Sequence, residues 1–448
     1  MRWNRRYLVK SYISGSLWLV PFVALVVFIL VGRTVAHLGS WLERAGLIDE
    51  ANGFYNVSVA GARTMLETVA TLNLSFIVFT FGSLLVAIQV AGGQYTPRII
   101  ATTLLRDNAI RITVGYFVFT LLAAVRLRAR MSDEAVRQFE TFVVGLLGLV
   151  SIVMFLYLID YAARLLRPVS LAKRVGEYGI GVIRGVYPKS SLHKNAGQSS
   201  RKLGSPDRVV AHAGTSGIVL AVDLAGLVGR ARQSGGVIEF VPQVGDFVAV
   251  DEPLFHLYSG ATGIEDRYLL AAVALGSERT MDQDPSFSFR ILVDMAIKAL
   301  SPAINDPTTA VLCIDQLHRL LRLVGQRHVG GEEFRDEAGE LRLVYRTPNW
   351  EDFVHLTCTE IRHYGAGSVQ VMRRLRSMLE NLMETLPPDR HAELRQQVEL
   401  LDRAIDRQYA FPEDKAIARI PDSQGLGGAL GLRPATGEPL ADGDWRDR

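Results

Sequence analysis

Residues 68–93 carry no charged side chain. As an α-helix this run extends about 39 Å, more than the roughly 30 Å hydrocarbon core of a bilayer. Lipid suits such a segment, because a helix satisfies its backbone polar groups internally. Other long uncharged stretches fall in the same third of the chain. Residues 15–32 have Trp18 near the edge, where aromatic belts lie, and residues 139–159 are broken only by Glu140. A shorter run, 112–125, lies between Arg111 and Arg126, whose long side chains can snorkel to the interfaces. The pattern predicts four transmembrane helices, at about residues 15–32, 68–93, 110–127 and 139–161. Arg5 and Arg6 precede the first run as in an export signal, but no small-residue cleavage site follows, so an uncleaved anchor is expected.

Charge sets the expected orientation. Arg2, Arg5, Arg6 and Lys10 precede the first helix, and Arg164, Arg167, Lys173 and Arg174 follow the last, which puts both termini in the cytoplasm. Arg126, Arg128, Arg130 and Arg137 make the intervening outer loop basic too, so the even number of spans and the first helix decide. The net charge of +3 over 448 residues, with arginines flanking apolar runs, speaks against a nucleic-acid partner. The only cysteines, Cys313 and Cys358, have no CxxC spacing, which disfavours a disulfide framework and a structural zinc site.

Within the second span Asn73, Thr80, Ser83, Ala87, Ala91 and Gln94 fall within about 80° of one another at 100° per residue. Such a stripe has two readings: close helix packing, which small and hydroxyl residues favour in lipid, or a water-lined path. The stripe runs on into Gly92-Gly93-Gln94-Tyr95-Thr96-Pro97-Arg98, a breaker-rich basic mouth, and these six residues are the candidate pore lining. Thr113-Val114-Gly115-Tyr116-Phe117 resembles a potassium filter but lacks its second glycine and lies inside a span.

After residue 168 the composition becomes that of a soluble protein. The expected organisation is a transmembrane domain over 1–168, a connector helix and flexible loop over 169–207, a small β module over 208–275, a helical domain over 276–420 and a disordered tail over 421–448. Strands are expected at 209–213, 218–222, 237–241 and 254–258, with a short helix at 224–232. The turn at Gly245-Asp246 before Phe247-Val248 resembles the barrel-sandwich hybrid of lipoyl domains, without a Met-Lys-Met acceptor, so an assembly role is expected rather than a carrier one. From Pro285 onward the chain reads as helical, with helices at 350–364, 369–386 and 390–409.

Asp284-Pro285 and Asp306-Pro307 repeat one device, in which aspartate caps the free N–H groups and proline takes the position whose missing N–H costs nothing. The stretch Ala299-Leu-Ser-Pro-Ala-Ile-Asn-Asp-Pro307 is thus a helix corner by its capping chemistry. Its alternative reading gathers Ser301, Asn305, Asp306 and the last carbonyls of the preceding helix around a cation, or an anion at the next helix N-terminus. No paired His/Glu spacing, Ser/His/Asp set or phosphate-binding glycine loop occurs, so no enzyme, catalytic residue, cofactor or metal is expected.

The order of elements, with Gln94-Tyr95-Thr96-Pro97-Arg98, Gly245-Asp246-Phe247-Val248, Glu278-Arg279-Thr280, Gln283-Asp284-Pro285, residues 299–310 and Arg362-His363-Tyr364-Gly365, resembles the family known as domain of unknown function 2254 over nearly the whole chain. The resemblance implies a bacterial membrane protein with a cytoplasmic C-terminal part, and no activity. The fold class expected is an integral membrane α-helical protein with four transmembrane helices, plus a cytoplasmic α+β region holding a small β-barrel-sandwich-like module and a helical domain. The expected function is a homo-oligomeric pore or ion-channel-like protein of the bacterial inner membrane, partnered by the lipid bilayer and by an ion or small ligand. The alternative is a non-conducting scaffold or sensor whose cytoplasmic domain binds a partner or small ligand.

Overall fold

The computed structural model describes residues 3–16, 18–44, 57–94, 107–131, 136–165, 167–187 and 203–428. Residues 95–98 of the mouth motif, residues 188–202 of the expected connector and loop, and the tail from 429 lie outside them. In chain order the helices are α1 (Trp3–Gly15), α2 (Leu19–Arg44), α3 (Val59–Gln94), α4 (Asn108–Arg130), α5 (Gln138–Leu165) and α6 (Pro168–Val186). There follow β1 (Arg208–Ala211), β2 (Gly217–Val222), α7 (Leu224–Ser234), β3 (Gly236–Phe240), β4 (Phe247–Val248), β5 (Pro253–Ser259), α8 (Asp266–Leu270) and β6 (Val273–Gly276). The remainder is α9 (Pro285–Ala299), α10 (Pro307–Gly325), β7 (Glu332–Arg335), β8 (Leu341–Tyr345), α11 (Trp350–Gly365), α12 (Val369–Thr385), α13 (His391–Gln408) and α14 (Pro412–Ala418). The chain divides into two compact units, Met1–Arg174 with Glu265–Leu275, and Val175–Ile264 with Gly276–Arg448.

Among the described residues of the first unit three helices are long and apolar enough to cross a membrane: Val59–Val90 within α3, α4 and α5. The first expected span coincides with α2, whose described apolar run, Leu19–Val31, is shorter. The expected short third span is a 23-residue helix, because it continues through Arg126, Arg128 and Arg130. Small residues bring the helices together. A Cβ on Gly148 of α5 would stand 2.6 Å from Val69 of α3, and one on Gly115 of α4 would stand 3.0 Å from Val20 of α2. The filter-like Gly115 is therefore a helix contact. Aromatic rings fill the middle: Phe76 stacks on Phe155 at 4.1 Å and meets Phe117 at 5.5 Å. Below them Leu66, Val69, Ala124, Leu127 and Val144 form a buried cluster.

The second unit is built on a five-stranded sheet of order β1-β5-β3-β8-β7. Its ladders are antiparallel except β3 with β8, where Ile238 pairs Leu343 and Phe240 pairs Tyr345 in parallel. Three of the four expected module strands, β1, β3 and β5, thus share one sheet with a hairpin from the region read as wholly helical, which corrects that reading, while β2 pairs in a separate sheet. The hairpin alternates as a half-buried strand must: Leu341, Leu343 and Tyr345 are buried, while Arg342 and Val344 are only partly so. The Gly-Asp turn forms as expected, with Gly245 at φ 97° and Asp246 accepting from the Gln243 N–H at 2.8 Å before the β2–β4 pair.

Both Asp-Pro caps are present. Asp284 accepts from the Phe287 N–H at 3.1 Å and Asp306 from the Thr309 N–H at 3.0 Å. Polar side chains link these helices: Arg290 of α9 meets Glu360 of α11 through two bonds, of 2.5 and 2.8 Å. From α10, Arg319 reaches Glu177 of α6 at 2.7 Å, and Asp315 receives Arg374 of α12 at 2.7 Å. Gly176 and Gly179 let α6 lie close to α9 and α10, since a Cβ there would stand 2.6 Å from Gln316 and 2.9 Å from Ser288.

The expectation of disorder from residue 421 is corrected for its first eight residues. Asp422 is fully buried and accepts from the N–H groups of Gln424 and Gly425 at 3.0 Å and of Gly427 at 2.6 Å. Glycine makes this loop possible rather than floppy, because Gly425 and Gly427 adopt φ values of 70° and 78°. A glycine- and aspartate-rich composition reads as disorder when the carboxylate that organises it is overlooked.

Candidate functional site

The residues of the sequence stripe do not share one environment. Asn73 and Thr80 are buried inside the helical unit, and each bonds its own helix: Asn73 Nδ2 donates to the Val69 carbonyl at 2.9 Å and Thr80 Oγ1 to that of Phe76 at 2.7 Å. Ser83 is exposed and donates to the Thr80 carbonyl at 3.1 Å, while Ala87 is half-buried. Ala91 and Gln94 end the helix, and their side chains lie outside the described residues. Thr80, Ser83 and Ala87 line a partly open cavity of about 200 Å³ between α3 and α5, whose other wall includes Phe155, Leu158 and Ala162.

Ile110 and Leu165 also border this cavity, and beside them stands a polar cluster that sequence reasoning missed. Asp107 caps α4: its Oδ1 accepts from the N–H groups of Ala109 at 2.9 Å and Ile110 at 3.3 Å. Its Oδ2 accepts from the Tyr161 hydroxyl and from Arg174 Nη1, both at 2.6 Å, and Arg174 Nη2 also reaches the Tyr161 oxygen at 3.1 Å. The Asp107 side chain is 3% exposed and that of Arg174 36%. Burial works against the Arg174 charge, and the bonds to Asp107 and Tyr161 outweigh it, so its pKa lies above the usual arginine value. A carboxylate offers about four acceptor positions, and here all are taken, which leaves none for a cation. The cluster is a latch joining the start of α4, the end of α5 and the first turns of α6. Its only local signal was Asp107 ahead of an apolar run. Tyr161 and Arg174 are remote in sequence, and Arg174 counted merely as a flanking charge.

A second feature lies on the outward face of α3. Thr64, Thr68, Thr71, Ser75, Gly82, Gln89 and Gly93 are all exposed and fall within about 40° of one line along the helix. Val78 and Val86 sit among them. This line lies roughly 100–180° from the residues of the sequence stripe. Among the described residues nothing stands within 4 Å of a Cβ on Gly82 or Gly93.

At the helix corner, Asn305 has φ 50° and Ser301 Oγ donates to the Lys298 carbonyl at 2.7 Å. The Ala299 carbonyl accepts from the Asp306 N–H at 2.8 Å, and that of Ser301 accepts from Ile304 and Asn305. Asp306 Oδ2 accepts from the Thr309 hydroxyl at 2.5 Å. The Lys298, Ala299 and Ser301 carbonyls and the Asp306 carboxylate are thus engaged within the corner itself. Among the described residues no group of three or more His, Cys, Asp or Glu side chains stands ready for a metal ion. Cys313 and Cys358 are buried thiols, and burial pushes Cys358 up to about 12.

The chain is 26% identical to the uncharacterized protein Mb1321c of Mycobacterium bovis, across 97% of its own length and 85% of that protein's. It has the same identity and coverage with the uncharacterized protein Rv1290c of Mycobacterium tuberculosis. No solved structure matches it. The family model described as "Predicted membrane protein (DUF2254)" matches residues 14–381, so the three apolar helices and the region after them as far as residue 381 lie within one recognised unit of descent, and the chain belongs to that family.

Proposed function

We propose that this is a bacterial inner-membrane protein in which copies assemble through the outward face of α3 to form or gate a pore. In this reading α2 is a fourth span, both termini are cytoplasmic, and the β and helical region after α6 is a cytoplasmic assembly or regulatory part. The reading assigns no catalysis. One observation carries it: Thr71, Ser75, Gly82, Gln89 and Gly93 are exposed on a helix long enough to cross the bilayer. Polar side chains at membrane depth are costly against lipid and face a neighbouring helix or water. Glycines with no neighbour among the described residues leave room for another backbone to approach.

A scaffold or sensor is favoured by a separate observation. Thr64, Thr68 and Ser75 donate their hydroxyls to the carbonyls of Ala60, Thr64 and Thr71, at 3.0, 2.8 and 2.8 Å, which suits a dry packed interface. Single cysteines at Ser75, Gly82 and Gln89 separate the two. A pore gives cross-links between copies, reaction with small charged thiol reagents and ion flux in liposomes that a leucine at Ser75 reduces. Cross-links without reagent access or flux support the scaffold, and an uncross-linked monomer overturns both.

A further inference from the structure

We propose that the cavity between α3 and α5 is a binding site for one acyl chain of a membrane lipid. Its walls are aromatic and aliphatic, with Phe79 and Leu84 on one side and Phe155, Leu158 and Ile159 on the other. Its two hydroxyls, on Thr80 and Ser83, each give their single proton to the backbone of their own helix. A buried water requires two to four polar partners, and this space offers too few to hold water or an ion. The volume of about 200 Å³ exceeds that of an apolar cavity of roughly 150 Å³, which is enough to admit benzene.

The opening selects a chain over a compact solute. Phe79, at 53% exposure, and Ile159, at 44%, flank it on helices long enough to cross the bilayer, so hydrocarbon is the medium at its mouth. Close packing of side chains gains dispersion energy from every contact, and an empty apolar space of this size forfeits it on all its walls. An acyl chain entering from the bilayer restores those contacts and loses no hydration. The site is independent of the pore reading, since the outward stripe lies on another face of α3.

The test uses the full chain in vesicles of phosphatidylethanolamine and phosphatidylglycerol that contain a phospholipid with a diazirine near the end of its acyl chain. After irradiation, adducts mapped by mass spectrometry should concentrate on the cavity walls around Phe79, Leu84, Phe155 and Ala162. Ala162→Phe, which fills the space, should cut those adducts at least fivefold while leaving adducts at the outward Leu149 and Leu156 unchanged. Equal labelling of cavity and outward residues, or indifference to the substitution, overturns the site. A Ser83→Cys chain gives an independent measure if the filled variant does not fold. Labelled there with a nitroxide in detergent and returned to vesicles, it should be relaxed by oxygen, which dissolves in hydrocarbon, and not by a charged nickel chelate, and relaxation by the chelate overturns an apolar site. Iodobenzene added to vesicles should compete with the cavity adducts. Iodobenzene bound there without any lipid adduct overturns the lipid assignment in favour of a small free solute, and cross-links there between two copies overturn it in favour of a protein contact.

Discussion

The main-chain carbonyl of Arg373 accepts from the N–H of Asp422 at 3.2 Å, and the side chain of the same arginine reaches past it to Gly427 at 2.7 Å. Arg373 Nε also donates to the Ile420 carbonyl at 3.0 Å, so one buried guanidinium holds both ends of the segment that Asp422 folds. Burial tends to raise the Asp422 carboxyl, but the N–H groups of Gly427, Gly425 and Gln424 outweigh it and keep its pKa below the ordinary value.

Asp422→Ala should therefore cost about 2–3 kcal/mol, because buried N–H groups lose their acceptor. The expected readout is a lower melting temperature of the full protein in detergent and new protease cleavage after Arg419. The contribution is present above the unfolded carboxyl value of about 3.9 and fades as pH falls through the lower folded value. An unchanged melting temperature and cleavage pattern would show that the loop is dispensable.

The two Asp-Pro caps should differ. Asp306→Ala should cost about 1 kcal/mol, the usual value of an N-cap. Asp284 is 2% exposed and also receives Arg279 at 2.8 Å, so Asp284→Ala should cost about 2–3 kcal/mol by leaving that arginine without its partner. Chemical denaturation of the two variants side by side would reveal the order, and equal losses would contradict it.

These caps were legible because capping is local chemistry, written in adjacent residues. So were α11, α12 and α13, and the strands near 218–222, 237–241 and 254–258, each found within a residue or two. The hairpin β7–β8 was not, although Leu341, Leu343 and Tyr345 alternate, because its strands are short and stand between strong helical patterns. The α3 stripe shows a deeper limit. Periodicity groups residues onto one face of a helix, but the helix has small and polar residues on two faces, and only its neighbours decide which face is inward. The latch could not be read at all, since no local pattern joins Asp107, Tyr161 and Arg174.

His318 should make the helical layer acid-sensitive. Its Nε2 meets Asn381 Oδ1 at 3.0 Å and its Nδ1 meets Arg374 Nη2 at 3.3 Å. A guanidinium only donates, so Nδ1 is bare and the ring neutral. Burial, and then the Arg374 charge, lower its pKa. The unfolded chain then binds more protons than the folded one below about pH 6.5, and stability falls as pH drops through that value toward the folded pKa. His318→Gln should flatten the difference in melting temperature between pH 7.5 and 5.5, and an unchanged slope would exclude this ring as its source.

Gly148→Ala should loosen the membrane bundle by about 1–3 kcal/mol, the usual cost of overpacking, because the added methyl would stand 2.6 Å from Val69. Gly82→Ala, in open space, should leave a single chain's stability nearly unchanged. Melting in detergent under conditions that keep the protein monomeric would compare them, and equal effects would contradict the packing.

The parallel pairing of β3 with β8 also fixes an order of events at the ribosome. When β5 has emerged, β3 has one partner, and its other edge presents free N–H and C=O groups. The strand that seals this edge arrives only after α9 and α10 have been translated. Throughout that interval a nascent chain offers Ile238 and Phe240, both fully buried in the finished sheet, beside an open row of hydrogen-bonding groups. Polysomes carrying several such chains are where mispairing between copies is most favoured, so slowing translation between β5 and β8 should lower the yield of protein more than an equal delay after β8.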